Sequence, residues 1–301
     1  MGGLIMNMTK MTLIEWQQRF GTEESCLEEL RKVRWPDGFI CPKCGTKKHS
    51  YIKTRRTYQC LSCHHQASVT SGTIFHSTNL PLVKWFWAIY LMASDKGGIS
   101  ALRLSKQIGV SWITAQRMLR KIRTVMKHRD SIYRLEHFVE LDDAYIGGKR
   151  PGKRGRGASG KKPILIAVEN RGDRAGFMAA SPVEGITKDS VRDFLNRHLK
   201  PGQKVRTDAF PSLHSISESH EHEKKATPAA EAGKWLRLVH IVIGNLKQFL
   251  NGTFHGVSHK YLSEYIDEFC YRFNRRFWEP ELPMRVLNAC LAHLPVKTEN
   301  C

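Results

Sequence analysis

The sequence predicts an α/β protein in which a sheet-containing domain follows two smaller modules. Two C-x-x-C pairs in the N-terminal part predict a metal-bound module. Two amphipathic segments around Gly109 predict a pair of helices joined by a tight turn. From residue 136, segments of alternating apolar residues are interrupted by one helical segment, which predicts a sheet covered by helices.

The composition points to a polyanionic partner. The 301 residues include 48 Lys and Arg against 28 Asp and Glu, a net charge of +20. Such an excess is typical of proteins that bind nucleic acid or an anionic surface. No apolar run approaches the roughly 18 residues that span a bilayer, so membrane binding is the weaker interpretation. The absence of a secretory signal pattern and of a disulfide framework predicts a cytoplasmic protein.

Residues 12–34 are predicted to be helical. Thr22 is a favourable N-cap, and acidic residues follow it while basic residues end the segment, as the helix dipole favours. Pro36 and Gly38 then end the helix. We interpret this segment as a small packing helix.

The cysteines predict a zinc ribbon. Cys41 and Cys44 form one C-x-x-C pair, Cys60 and Cys63 form another, and fifteen residues separate the pairs. Zinc binds four soft ligands in a tetrahedron, which two such pairs joined by a short hairpin provide. The ion is predicted to be structural, because four thiolates leave no open coordination position.

The next segment predicts a helix-turn-helix. An apolar helix follows, and its Trp85, Phe86 and Trp87 are expected to form core, since no basic residues interleave these aromatic side chains. A capped helix, a turn with Gly109 and Ser111, and a second amphipathic helix follow. An ordinary helical hairpin is the alternative interpretation. The predicted DNA-contacting residues of the second helix are Trp112, Thr114, Gln116, Arg117 and Arg120.

Four strands and one helix are predicted further along the chain. The strands cover 137–142, 163–168, 176–180 and 204–207, and the helix covers 188–199. Three strands, a helix and a fourth strand form the element order of the ribonuclease-H-like α/β fold. There the middle of the first strand lies beside the end of the fourth, so Asp142 and Asp208, 66 residues apart, are predicted to share metal ions.

A glycine-spaced basic loop separates the first two strands. Its composition predicts a flexible segment that follows a phosphate backbone, with a solvated linker as the alternative. The residues predicted to contact DNA are Lys149, Arg150, Lys153, Arg154 and Arg156.

Residues 238–250 are predicted to form a helix on which a third acidic residue is missing. Its apolar stripe consists of Val242, Ile243, Leu246, Phe249 and Leu250. His240, Gly244 and Lys247 share the opposite face, and Asn245 lies toward the edge of that face. Geometry therefore favours His240 as the partner of Lys247, although imidazole and amide are both weaker Mg²⁺ ligands than glutamate.

Several motifs resemble one family over roughly residues 15–277. They are Glu140-x-Asp142-Asp143-x-Tyr145-Ile-Gly147-Gly148-Lys149, Thr207-Asp208, Asn245-Leu-Lys247, Gly252-Thr-Phe-His-Gly-Val-Ser258 and Asp267-Glu-Phe-Cys-Tyr-Arg-Phe-Asn-Arg-Arg276. With the cysteine pairs and the helix-turn-helix, they resemble bacterial insertion-sequence transposases that carry an N-terminal zinc ribbon. Those enzymes have a DDE-type catalytic domain with an Asn/Lys or Glu/Lys ending.

The resemblance implies DNA cleavage at the element ends and strand transfer, with two Mg²⁺ ions as cofactor and Mn²⁺ as a substitute. It implies that Asp142 bridges both ions, that Asp208 binds one, and that Lys247 steers a phosphate oxygen. The motif favours Asn245 at the third position and helix geometry favours His240, so both stay open. The implied partners are double-stranded DNA, as terminal inverted repeats and target, and further copies of this chain.

The expected organisation has five segments. They are a helical segment (1–37), the zinc ribbon (38–76), the helix-turn-helix region (77–130), the catalytic domain (131–280) and a C-terminal helical tail (281–301). A catalytically inactive relative that regulates by binding DNA is the alternative, supported by the missing third acid. A ribonuclease of the same fold would leave the DNA-binding modules without a purpose. Glu268 is a remote further candidate ligand, expected instead to be a charge on a helix surface.

Overall fold

The computed structural model describes residues 10–147, 160–226 and 228–292, which fall into two compact units. The first unit contains the described residues up to Val125 together with those from Trp278 onward. The second unit spans Met126–Phe277. Helices and two sheets make up these units, so the predicted α/β class is confirmed.

The first unit begins with two helices, α1 (Leu13–Phe20) and α2 (Glu23–Arg34). Thr22 caps α2 by accepting a hydrogen bond from the backbone of Ser25, which confirms the predicted cap. Thr12 caps α1 in the same way. The helical segment predicted as continuous is therefore two helices, because each has its own capping box.

A small three-stranded antiparallel sheet follows, in the order β1 (His49–Ile52), β2 (Thr57–Cys60) and β3 (Gln66–Ser68). Aromatic rings pack with centroids 4.8 Å apart for Trp35 and Phe39 and 4.9 Å apart for Trp35 and Tyr58. This cluster supplements a sheet too small to bury a sizeable core of its own.

Helices complete the first unit. They are α3 (Leu82–Ser94), α4 (Ala101–Ile108), α5 (Trp112–Asp130), whose last turns belong to the second unit, and α10 (Leu282–Ala292). Trp85 and Phe86 of α3 are buried, which confirms their prediction as core, whereas Trp87 is half-buried. Helix α10 packs against α2 and α3.

The second unit is built on a five-stranded sheet. Its strands are β4 (Phe138–Ile146), β5 (Lys162–Arg171), β6 (Arg174–Pro182), β7 (Lys204–Asp208) and β8 (Glu221–Lys225). Their order is β6-β5-β4-β7-β8, with antiparallel pairing from β4 to β6 and parallel pairing from β4 to β8. The sequence did not predict β8, because its charged residues lack any apolar alternation.

Helices cover both faces of this sheet. Helix α6 (Lys188–His198) and a 3₁₀ helix over Pro211–Glu218 pack on the face that carries Val139 and Leu141. Helices α8 (Arg237–Gly252) and α9 (Leu262–Phe273) pack on the other, and the short α7 (Ala229–Trp235) precedes α8. Because side chains alternate along a strand, even-numbered β4 residues face α8.

The Asp267–Arg276 motif protects the exposed edge of the sheet at β6. Asn274 accepts the Met178 N–H at 2.8 Å and donates to the Met178 carbonyl at 3.0 Å. Arg276 donates to the carbonyls of Gly176 and Ala175. These side chains satisfy backbone groups that an edge strand otherwise leaves open to another strand.

Across the described residues, we find no helix that combines the length and apolar character needed to cross a membrane.

Candidate functional site

The register of β4 and β7 has the same offset as the interval between the two predicted aspartates. Phe138 pairs with Lys204, and the parallel pairing keeps this offset of 66 residues through Glu140 and Arg206. The next residues on the same face of the two strands are Asp142 and Asp208, and the same offset would place them side by side at the end of β7. Both aspartates therefore lie on the sheet face that carries α8.

His240 contacts Asp142 directly. Its Nε2 atom lies 3.0 Å from Asp142 Oδ2, and the two side chains are 35% and 14% exposed. The hydrogen bond to Asp142 raises the pKa of His240, against an opposing effect of burial. The second oxygen of Asp142, Oδ1, accepts the backbone N–H of Asp143 at 2.8 Å.

The apolar face of α8 explains why His240 reaches the aspartate. The predicted stripe is buried, namely Val242, Ile243, Leu246, Phe249 and Leu250. His240 then leads the polar face, on which Lys247 and Gly244 are exposed. Asn245 is exposed as well, so of the two candidates for the third position it is His240 that contacts an aspartate.

Glu140 is a site residue that sequence reasoning quoted within a motif but assigned no role. Its carboxylate is 1% exposed and accepts the backbone N–H groups of Leu238 at 2.9 Å and Val239 at 3.0 Å. Asn170 donates to its other oxygen at 2.7 Å. One signal was available, since the start of α8 has no Ser, Thr, Asp or Asn to serve as its own cap.

Arg206 and Trp235 form the wall of the site beside Asp208. The Arg206 guanidinium lies 4.3 Å from the centre of the Trp235 ring and 4.6 Å from that of Phe138. Trp235 Nε1 donates to the carbonyl of Thr207 at 2.9 Å. The two rings attract the guanidinium, so these contacts favour the observed orientation of Arg206.

The four predicted zinc ligands converge in the first unit. Their sulfur atoms all lie within 4.8 Å of one another, with 3.6 Å between Cys41 and Cys63 and 3.5 Å between Cys44 and Cys60. Sulfur atoms bound to one zinc at about 2.3 Å stand about 3.8 Å apart, so the quartet fits a tetrahedral site. Within the described ranges, this is the one set of three or more convergent His, Cys, Asp or Glu side chains.

Backbone groups stabilise the thiolate form of Cys60. Burial raises the pKa of the Cys60 thiol, but the N–H groups of Cys63 and Ser62, together with the thiols of Cys44 and Cys63, outweigh it and lower that pKa to about 6. These N–H groups lie 3.4 Å and 3.3 Å from the sulfur. Zinc binds cysteine as thiolate, so the same bonds favour metal binding.

The two helices of the predicted helix-turn-helix are present as α4 and α5. Gly109 ends α4 in the left-handed region at φ 61°, and Ser111 caps α5 by accepting the Thr114 N–H. Trp112 is 49% exposed and Arg117 is exposed. Gln116 and Arg120 are half-buried. Their contact with DNA stays a prediction.

Two other groups of predicted residues have different outcomes. Glu268 is fully buried and pairs with Arg272 at 3.0 Å, so its expected position on a helix surface is wrong. The pairing neutralises an acid that α9 turns toward the core. The basic-loop residues lie outside the described part of the chain, namely Lys149, Arg150, Lys153, Arg154 and Arg156.

Comparisons with known proteins agree with this arrangement. Residues 134–274 match the ISXO2-like transposase domain, and residues 21–66 match the transposase zinc-ribbon domain. An uncharacterized protein in transposable element ISH50 of Halobacterium salinarum is 26% identical over 221 residues, covering 66% of this chain and 71% of that protein.

Two solved structures share 12% and 14% sequence identity with the chain. The pre-cleavage Mos1 transpososome has a TM-score of 0.24, with 69% of this chain and 78% of that chain covered. The Mos1 Strand Transfer Complex has a TM-score of 0.26, with 70% and 79% covered. The two domain matches, in this order along one chain, identify the protein as a member of the insertion-sequence transposase family with an N-terminal zinc ribbon.

Proposed function

We propose that the second unit catalyses metal-dependent cleavage of DNA at the ends of an insertion sequence and the transfer of those ends to target DNA. The contact between Asp142 and His240 is the observation that carries this proposal, and the β4–β7 register, whose offset equals the interval from Asp142 to Asp208, supports it. We infer that the sheet is ribonuclease-H-like. The order of three antiparallel strands, a helix and a parallel strand supports this inference.

The donor atoms suit hard divalent cations. Asp142 and Asp208 supply carboxylate oxygens, the ligands that Mg²⁺ and Mn²⁺ prefer. Such ions would supply activation of the attacking oxygen and neutralisation of the charge on the phosphate and the leaving oxygen. In this proposal Asp142, on the central strand of the sheet, and Asp208, at the end of β7, are the residues that would hold the ions.

We assign the third position to His240, because it contacts Asp142 whereas Asn245 is exposed. An imidazole nitrogen is a softer ligand than a carboxylate oxygen, so a site with His240 favours Mn²⁺ over Mg²⁺ more than an all-carboxylate site. Lys247 lies on the same helix face and contributes a point charge for a non-bridging phosphate oxygen.

The first unit supplies DNA binding in this proposal. The zinc ribbon has a structural Zn²⁺ that fixes its fold, and the exposed side chains at the start of α5 are available to base edges. The net charge of +20 gives such binding a strong dependence on salt. Joining two element ends requires at least two copies of the chain on the DNA, so we expect a homo-oligomer in the complex.

The test uses a supercoiled plasmid that carries the element ends, incubated with protein and Mg²⁺ or Mn²⁺. Asp142→Ala, Asp208→Ala and His240→Ala are expected to abolish cleaved ends. Asn245→Ala is expected to retain cleavage within a few-fold, like the control Asn251→Ala at another exposed asparagine of α8. Equal product from wild type and Asp142→Ala would overturn the proposal. Loss of cleavage in Asn245→Ala with retention in His240→Ala would reverse the assignment of the third position.

A DNA-binding regulator without catalysis is the second candidate, favoured by the absence of a third acid on the polar face of α8. It predicts that wild-type protein retards DNA containing the element ends, yet yields no cleavage with either metal. Wild-type cleavage that depends on Asp142 excludes it.

A further inference from the structure

Helix α8 begins without a cap of its own. Its N-cap residue, Leu236, makes no side-chain hydrogen bond to the first turn. The first N–H groups of a helix have no partner within the helix, and they carry the positive end of its dipole. Here Glu140 Oε2, from the central strand β4, accepts the N–H groups of Leu238 and Val239. A strand carboxylate therefore caps the helix that carries His240.

The cap and the candidate metal site share both elements. On β4, Glu140 and Asp142 are two residues apart and face the same side of the sheet. On α8, the capped Val239 is followed directly by His240, which contacts Asp142 at 3.0 Å. A second contact between β4 and α8 therefore lies two residues from Asp142 on the strand and one residue from His240 on the helix.

Asn170 fixes the orientation of this cap. Its Nδ2 donates to Glu140 Oε1 at 2.7 Å, while its Oδ1 accepts the Gly172 N–H at 2.9 Å. The amide of Asn170 cannot turn over without losing both bonds. Both oxygens of the buried Glu140 side chain therefore meet donors, and only a group with two acceptors satisfies them.

We propose that Glu140, locked by Asn170, is a positioning residue that holds His240 and Asp142 at the spacing needed to bind one metal ion. This inference rests on the proposed function of the same site. It assigns Glu140 no contact with metal or substrate. Its effect passes through the first turn of α8, in the way that supporting hydrogen bonds orient metal ligands.

Exchanging the two side chains tests the proposal without emptying the site. Glu140→Gln replaces one acceptor oxygen with an NH2 donor. In either orientation of the new amide, this NH2 group faces another donor, either Asn170 Nδ2 or the N–H groups of α8. In the double variant E140Q/N170D, the amide at position 140 donates to the carboxylate at position 170, and its oxygen still accepts from α8. That carboxylate also accepts the Gly172 N–H. The exchange preserves total charge, so a recovery reports geometry.

The readout is Mn²⁺ affinity of the zinc-loaded full chain, measured as free Mn²⁺ by electron paramagnetic resonance, alongside plasmid cleavage. Glu140→Gln is expected to weaken the Asp142-dependent Mn²⁺ affinity about tenfold, and the double variant to recover most of that loss. Retardation of DNA containing the element ends is expected to stay within about twofold of wild type, since the charge of the DNA-binding unit is unchanged.

Glu268→Gln is the matched control, because Glu268 is also a fully buried acid of the same unit but pairs with Arg272 on α9. It is expected to lower thermal stability with Mn²⁺ affinity unchanged. If Mn²⁺ affinity falls equally in Glu140→Gln and Glu268→Gln, or the double variant fails to recover, the positioning role is overturned while the proposed function stands. If wild type and Asp142→Ala bind Mn²⁺ alike, the proposed function fails, and the positioning role fails with it.

Discussion

Arg275 donates to Asp130 across a separation of 2.6 Å, joining the end of α9 to the end of α5 within the second unit. The two side chains are 9% and 15% exposed. Burial raises the pKa of Asp130, and Arg275 opposes that rise. The Arg275 guanidinium also stacks 3.7 Å from the centre of the Tyr271 ring. Each of these two charges therefore depends on the other, because an isolated buried charge is strongly unfavourable.

Arg275→Ala is expected to lower the free energy of unfolding by about 3–5 kcal/mol, since it leaves Asp130 buried without its partner. Urea unfolding measures the change. Arg192→Ala, which removes an exposed arginine paired with Asp189 and Glu218, is expected to cost less than about 1 kcal/mol. Adding Asp130→Asn to Arg275→Ala should recover part of the loss. Equal costs for the two arginines would contradict the buried-pair interpretation.

Removal of one zinc ligand is expected to unfold the ribbon. Cys60→Ser should release zinc, detected with a chromogenic chelator, and abolish retardation of DNA, because structural zinc supplies the folding free energy of such modules. Cys26→Ser changes a buried cysteine outside the quartet and is expected to retain zinc. Zinc retained at wild-type stoichiometry by Cys60→Ser would refute a four-thiolate site.

Gly244→Ala is expected to raise stability and lower activity together. Glycine inside a helix is less stable than alanine by about 0.5–1 kcal/mol, and nothing lies within 4 Å of a Cβ built at Gly244. The added methyl group would stand between His240 and Lys247, where the proposed site meets the DNA backbone. Gly252→Ala, at the end of the same helix and also in open space, should leave cleavage unchanged. Unaltered cleavage by Gly244→Ala would mean that DNA does not approach this part of α8.

The second unit is expected to lose stability on acidification through His198. Burial, with the nearby Arg197, Lys127 and Arg134, lowers the pKa of His198 from 6.5 to about 4. Because the pKa of His198 is lower in the folded state than in the unfolded state, protonation favours unfolding. The free energy of unfolding is therefore fully retained above pH ~6.5 and falls by on the order of 2–3 kcal/mol as the pH drops toward ~4.

His198→Gln, which can keep a hydrogen bond to Ser181, is expected to make unfolding less dependent on pH in that window. The measurement is the difference between the free energies of unfolding at about pH 7 and at about pH 4.5, an interval that covers most of the window. His214→Gln, at an exposed histidine, is the control and should follow wild type. A wild-type pH dependence in His198→Gln would show that other groups cause the acid sensitivity.

Local patterns predicted the parts of this molecule that depend on spacing along the chain. The two C-x-x-C pairs identify the metal-binding quartet because each pair forms its own knuckle. The stripe of α8 predicted which residues are buried, because one face of a helix repeats every 3.6 residues. The interval between Asp142 and Asp208 equals the offset of the observed strand register.

Tertiary partners could not be predicted in this way. The acceptor for the first turn of α8 comes from Glu140, 98 residues earlier than Leu238, and no local pattern links the two. Glu268 and Arg272 form an i, i+4 pair that is readable in the sequence, but their burial under the rest of the unit is not. Strand β8 forms by parallel pairing with β7, which compensates for a sequence poor in strand-forming residues.

The return of the chain from Phe277 to α10 makes the first unit discontinuous. Helix α10 contributes Val286, Leu287 and Cys290, all fully buried, and it packs against α2 and α3. During synthesis, therefore, the ribbon-bearing unit cannot complete its core until the whole Met126–Phe277 unit has left the ribosome. A nascent or truncated chain lacking α10 would expose the apolar surface of α3, so completion of the ribbon-bearing unit is tied to production of the Met126–Phe277 unit.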